Sequence, residues 1–173
     1  MDIRYPIGKF SWTAAVTPQQ RATAIDDIAQ LPERMRAAIA GLNDSQLDTP
    51  YRDGGWTARQ VVHHVPDSHV NSYIRLKFAL TENEPTIKPY DEVVWANLVD
   101  AKSGPVAPSL NLLEGLHYRW VMLLRTLSDV DFRRKFVHPE IGVVTLDQHT
   151  AQYAWHGKHH VAHILALRER NGW

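Results

Sequence analysis

Three times along this chain a threonine stands three residues ahead of a glutamine at the head of an amphipathic run: Thr17 with Gln20, Thr57 with Gln60, and Thr145 with Gln148. In that pattern the threonine hydroxyl accepts from a first-turn N–H and the glutamine reaches back to the threonine N–H, which satisfies donors that a helix start otherwise leaves bare. Three long helices with sharp beginnings are predicted. The first runs from about Pro18 to Gly41, and Ile25, Ile28, Leu31, Met35, Ala38 and Leu42 recur on it at spacings of three and four, marking one buried stripe. The second runs from about Thr57 to Thr81 behind the Gly54-Gly55 entry loop. The last runs from Thr145 to near Asn171-Gly172, with Arg168 and Arg170 in its final turns, where cations complement the helix dipole. Pro32 predicts a bend or break in the first helix, and Pro66 a kink in the second beside His63 and His64.

One more helix, about Ser109 to Leu127, lacks such a cap but carries Leu112, Leu113, Leu116, Trp120 and Leu124 on an apolar face. Between it and the second helix lies a long connection, 82–108, with a short helical candidate from Asp91 to Ala101. Lys135 to Thr145 has β-branched residues around Pro139 and Gly142, which suits a small hairpin. Helices of about 20–25 residues are about 30–37 Å long. None is apolar all round, so they must share a core. The predicted fold is all-α: an antiparallel four-helix bundle, with a long crossover between the second and third helices and a small hairpin before the fourth.

At 173 residues a single domain over 1–173 is expected. Lys plus Arg and Asp plus Glu each number 19, so no charge excess steers the chain to nucleic acid or anionic lipid. No stretch approaches the 18 apolar residues of a membrane span, and MDIRYPIGKFSW lacks the apolar core of a signal peptide. A cytoplasmic protein with neither a nucleic-acid nor a membrane partner is the expectation. Cysteine is absent, which removes disulfides, thiolate ligands and a cysteine nucleophile.

Ten histidines remain, five of them between His149 and His163. At 100° per residue, His149, His156 and His160 fall within about 20° of one line on the last helix. His156 and His160 are one turn apart, the spacing at which a helix offers two imidazoles to one metal. A lone inward histidine is ordinarily a hydrogen-bonded core residue. A row of them cannot easily satisfy its own ring nitrogens, and a metal removes that difficulty by taking a lone pair from each. His149 lies about 10 Å from His156 along the axis, too far for one ligand set.

A third ligand should come from a facing helix. His63 and His64 both qualify, and spacing leaves the choice open. The face of His64 also carries Gln60, Ser68, Asn71 and Arg75, either a solvated surface or the wall of a polar cavity. Asp67 is placed to orient an imidazole, to serve as a general base or to form a surface ion pair with Arg75 or Lys77. His69, His117 and His138 have no partner pattern and read as structural. Trp56, Trp120 and Trp155 read as core or cavity wall.

The segments YRDGGWTARQVVHHVPDSHVNSYIR (51–75) and YAWHGKHHVAHI (153–164) closely resemble the DinB/YfiT-like family. RYPIGKF, LNDSQLDTPYRDGGW and the terminal NGW fit it too, so the resemblance spans nearly the whole chain. It implies a cytoplasmic four-helix bundle, a homodimer, and the family's provisional description as metal-dependent hydrolases. Carried over by position, the family's metal-binding histidines fall on His64, His156 and His160, which favours His64 over His63. Pro66 departs from the family's usual helix former.

Three neutral imidazoles would hold one divalent metal per chain, Zn2+ or Ni2+, and leave a coordination position open. A water there, acidified to a pKa of about 7, would serve as the nucleophile of a hydrolase. Asp67 would manage protons, as would a nearby His63, His159 or His163, and Asn71 and Arg75 would bind an anionic small-molecule substrate. The resemblance implies an alternative, because related proteins transfer a low-molecular-weight thiol such as bacillithiol to electrophiles. A non-catalytic metal-binding module is the third reading. It would gain if His63, His159 or Asp67 supplied a fourth ligand, since structural zinc sites fill all four positions.

Overall fold

The computed structural model describes residues 2–12 and 15–173. Its elements in chain order are α1 (Pro18–Ile39), α2 (Asp44–Leu47), α3 (Ala58–Thr81), α4 (Glu92–Ala96), α5 (Val99–Ser103), α6 (Val106–Leu124), α7 (Asp129–Phe132), the hairpin strands β1 (Lys135–His138) and β2 (Gly142–Thr145), and α8 (Leu146–Asn171). All three threonine–glutamine pairs close full capping boxes, at the heads of α1, α3 and α8. The same device opens two short helices that periodicity had not revealed: Asn43 with Gln46 at α2, and Ser128 with Asp131 at α7. Among the described residues no helix is long and apolar enough to cross a membrane.

Side-chain contacts fix how the four long helices run. Arg21 pairs with Asp147 at one end, and Arg168 donates to the Ala38 and Ala40 carbonyls at the other, so α1 and α8 are parallel. His63 bonds Ser109 and His69 bonds His117, which makes α3 and α6 parallel as well. Between the two pairs the sense reverses. Arg36 meets Glu114 and Asp26 meets Arg125 across α1 and α6, while Ser72 meets His149 and His64 meets His160 across α3 and α8. The expected four-helix bundle is therefore antiparallel between pairs and parallel within them. The long crossover causes this by returning the chain to the start of α3. There Arg59 and His63 bond the Gly104 carbonyl and Gln60 donates to the Ala96 carbonyl.

Neither internal proline breaks its helix, and α1 and α3 continue through Pro32 and Pro66. A proline deletes one helical hydrogen bond and frees the carbonyl four residues earlier. For Pro32 that carbonyl belongs to Ile28, and it accepts instead from His117 Nδ1 at 2.6 Å. Tertiary packing thus absorbs a cost of about 3 kcal/mol that local propensity alone would assign. The helix expected from Asp91 to Ala101 divides into α4 and α5 at Asn97-Leu98, and α6 begins at Val106 rather than Ser109.

The apolar core is divided. One cluster includes Ile28, Leu76, Trp120, Leu124, Phe136 and Leu146, and the other includes Leu31, Met35, Val61, Val65, Leu113 and Ile164. Among these apolar residues lies a set of buried imidazoles: His64, His69, His117, His149 and His160. At this level α8 lies close to α1, because Gly157 has no side chain and a methyl there would overlap the Leu31 side chain.

Candidate metal centre

The set is organised around three imidazoles. His156 and His160 project from α8 one turn apart, and His64 meets them from α3. His64 Nε2 and His160 Nε2 each lie 3.2 Å from His156 Nε2. A tetrahedral ion with bonds of about 2.0–2.1 Å holds its donors about 3.3–3.4 Å apart, so these separations suit a shared metal. Among the described residues this is the group of three histidine or acidic side chains placed to hold an ion. Burial pushes the His64 pKa down to about 4 and takes those of His156 and His160 well below the ordinary imidazole value. All three are then neutral, with lone pairs for a cation. Among the described residues the His64 and His160 Nε2 atoms have His156 Nε2 as their hydrogen-bonding neighbour, so at the centre the rings meet one another rather than other polar groups.

The cluster forms part of the wall of a cavity of about 350 Å³, together with Trp56, Ser68, Arg75, Tyr90, Glu92 and Glu140 among others. The Trp56 ring lies 4.6 Å from His64, centroid to centroid, and Trp155 stacks on His159 at 4.4 Å. Trp120 is wholly buried in the core. A larger groove of about 750 Å³ runs between α1 and α6, but His117 is its single imidazole, and the three-histidine cluster belongs to the smaller cavity.

Other residues singled out in the sequence separate clearly. Arg75 lines the cavity, is 9% exposed, and makes no ion pair among the described residues; its one hydrogen bond is a long 3.4 Å contact to the Lys88 carbonyl. It is a buried cation with donors to spare. Asn71 is not on the cavity wall and donates to the Asp67 carbonyl of its own helix. Asp67 is also absent from the wall. Burial and then the nearby Asp100 charge raise its pKa to about 6. His63 has both ring nitrogens occupied, by Ser109 Oγ at 2.7 Å and the Gly104 carbonyl at 3.1 Å, which leaves no lone pair for a metal. His149 is held by Ser72. His163 bonds the Arg4 carbonyl and stacks on Tyr51, while His159 lines the cavity with its Nδ1 unpaired.

Two histidines that read as structural connect to the centre, His69 directly and His117 through it. His69 Nε2 lies 3.0 Å from His156 Nδ1, and His69 Nδ1 lies 2.9 Å from His117 Nε2. No helical spacing signals this, because the three residues sit on three different helices.

A helical bundle with a largely buried three-histidine cluster opening on a small cavity has the form of a mononuclear metal protein. The chain belongs to the DinB superfamily, whose pattern matches residues 27–164. It is 55% identical over 172 residues, 99% of both chains, to a Bacillus cereus protein and to one from Bacillus thuringiensis subsp. konkukian, both provisionally named metal-dependent hydrolases. It is also similar to YfiT from Bacillus subtilis, described provisionally as a metal-dependent hydrolase with an unusual four-helix bundle topology. That match has a TM-score of 0.97 and 48% identity, and it covers 100% of this chain and 99% of the other.

Proposed function

We propose that this chain is a metal-dependent hydrolase of small molecules, with one Zn2+ or Ni2+ held by His64, His156 and His160. The observation that carries this reading is the convergence of three neutral Nε2 atoms, two of the separations being 3.2 Å, on the wall of a cavity rather than in a sealed core. With His63 and Asp67 turned elsewhere and His159 outside the group of mutually close ligand atoms, no fourth protein ligand closes the set from those positions, which favours chemistry over a purely structural site. The ion, when bound, supplies Lewis acidity, the means to polarise a carbonyl and to acidify water.

The chain's own residues supply the rest. Arg75 can make a bidentate contact to a carboxylate or phosphate, so it anchors an anionic substrate group. Glu92 and Glu140 are the carboxylates on the cavity wall and can accept a proton there; Asp67, facing Asp100, acts on charge balance outside the cavity. The apolar faces of Trp56 and Trp155 limit water around the substrate.

Protein loaded with one equivalent of zinc or nickel should hydrolyse some members of a panel of esters and amides bearing a carboxylate, and His156→Ala should abolish turnover. If the loaded protein instead joins a small thiol to an electrophile and hydrolyses nothing, the transferase reading replaces this one. A protein that binds metal and does neither is a non-catalytic module.

A further inference from the structure

We propose that His69 and His117 form a tautomer lock, a buried chain of hydrogen bonds running from the Ile28 carbonyl to His156 that keeps the His156 Nε2 lone pair pointed at the metal cluster. The inference rests on His156 being a metal ligand.

The direction of every bond in the chain follows from its far end. The Ile28 carbonyl can only accept, so His117 Nδ1, 2.6 Å away, carries the hydrogen. A neutral imidazole has one N–H, which leaves His117 Nε2 as an acceptor. His69 Nδ1, 2.9 Å away, must donate to it. His69 Nε2 is then bare and accepts from His156 Nδ1–H at 3.0 Å. His156 Nε2 is left with its lone pair, facing His64 and His160. Reversing any one ring would set two acceptors or two donors against each other in a region where His69 and His117 are 0% and 1% exposed. Burial favours the neutral form of all three rings, as the chain requires.

Pro32 explains why the Ile28 carbonyl is available. In an unbroken helix the N–H of residue 32 would occupy it, and proline has none. The anchor is thus a helix defect set four residues from the carbonyl it frees. A consequence follows for the other two ligands. With His156 Nε2 fixed as an acceptor, one of His64 and His160 can turn an Nε2–H toward its single lone pair while no metal is bound. That ring must change tautomer when a metal enters, and His156 need not.

His69 and His117 are positioning residues on this account, since neither ring is a member of the ligand cluster. Orienting partners of ligand histidines are ordinarily worth about 10–100-fold in metal affinity. The test compares the metal-free full-length protein with His69→Phe, His117→Phe and His117→Gln. Glutamine can donate to the Ile28 carbonyl and accept from His69, so it preserves the direction of the chain; phenylalanine fills space without doing so. Long-range proton–nitrogen NMR should show His156 protonated on Nδ1 in wild type and in His117→Gln, and mixed or reversed in both phenylalanine variants. Chelator competition for zinc should show His69→Phe about 10–100-fold weaker, with His117→Gln near wild type and tighter than His117→Phe. Helical circular dichroism identifies a variant that fails to fold, and the wild-type and glutamine spectra still decide the question in that case.

A wild-type His156 protonated on Nε2 overturns the lock. Unchanged zinc affinity in a folded His69→Phe overturns its positioning role. Wild-type protein that takes up no zinc refutes the functional reading, while its NMR spectrum independently reports whether the chain of bonds exists.

Discussion

Lowering the pH of the metal-free protein from 7.5 to 5.0 should remove most of its stability, and the buried histidines set both the sign and the size. Burial takes the folded-state pKa of His64 to about 4, of His117 to about 4 and of His149 to about 3, against 6.5 for an unperturbed ring. Above 6.5 neither state binds the proton. Between 6.5 and about 4 the unfolded chain takes it up and the folded chain does not, so stability falls as pH falls. At pH 5 each of these rings costs about 2 kcal/mol, about 6 kcal/mol for the three, at 1.36 kcal/mol per pKa unit. Asp67 acts the other way in the same window, because its folded pKa is raised to about 6 and the folded state binds its proton more tightly. Its partial exposure limits that offset to about 1 kcal/mol. The loss of about 5 kcal/mol from these four groups, to which the other buried histidines add, equals the whole stability of a weakly stable domain. Urea unfolding followed by circular dichroism at the two pH values measures it directly. Stabilities within about 1 kcal/mol of each other would refute the claim that these imidazoles are buried and neutral.

Gly157→Ala should destabilise the fold. The added methyl overlaps the buried Leu31 side chain at a cost of about 1–3 kcal/mol, against a gain of about 1 kcal/mol in helix propensity. Zinc affinity should fall with it, since residue 157 adjoins His156; a raised Tm would disprove the close approach of α1 and α8. Asp67→Asn should stabilise the protein above about pH 6 by up to about 1 kcal/mol, leave it unchanged near pH 4 and preserve turnover. Loss of turnover would return Asp67 to the chemistry. The homodimer implied by family resemblance should appear in light scattering as about twice the 19.8 kDa chain mass, and a mass of one chain would remove that expectation.

Much of this architecture is legible locally. The threonine–glutamine boxes locate three helix starts because capping is settled within four residues, and His156 and His160 share a face because they belong to one helix. The boxes at Asn43 and Ser128 were equally local and could have marked the one-turn helices α2 and α7. Other features depend on distant contacts. Spacing could not choose between His63 and His64; the structure separates them through Ser109 and Gly104, which arrive by way of the long crossover. Pro32 suggests a bend only while its helix is considered alone, since the residue that uses the freed carbonyl is His117, 89 positions away. His69 and His117 looked like isolated core histidines because their partners lie on other helices.

The central claim is one divalent metal on three histidines, and metal content tests it most directly. Elemental analysis of untagged protein, purified without chelator and loaded with zinc or nickel, should give about one ion per chain, with a large loss in both His64→Ala and His156→Ala. A wild-type protein that takes up neither metal would contradict it, and the histidines would then be a polar core layer and nothing more.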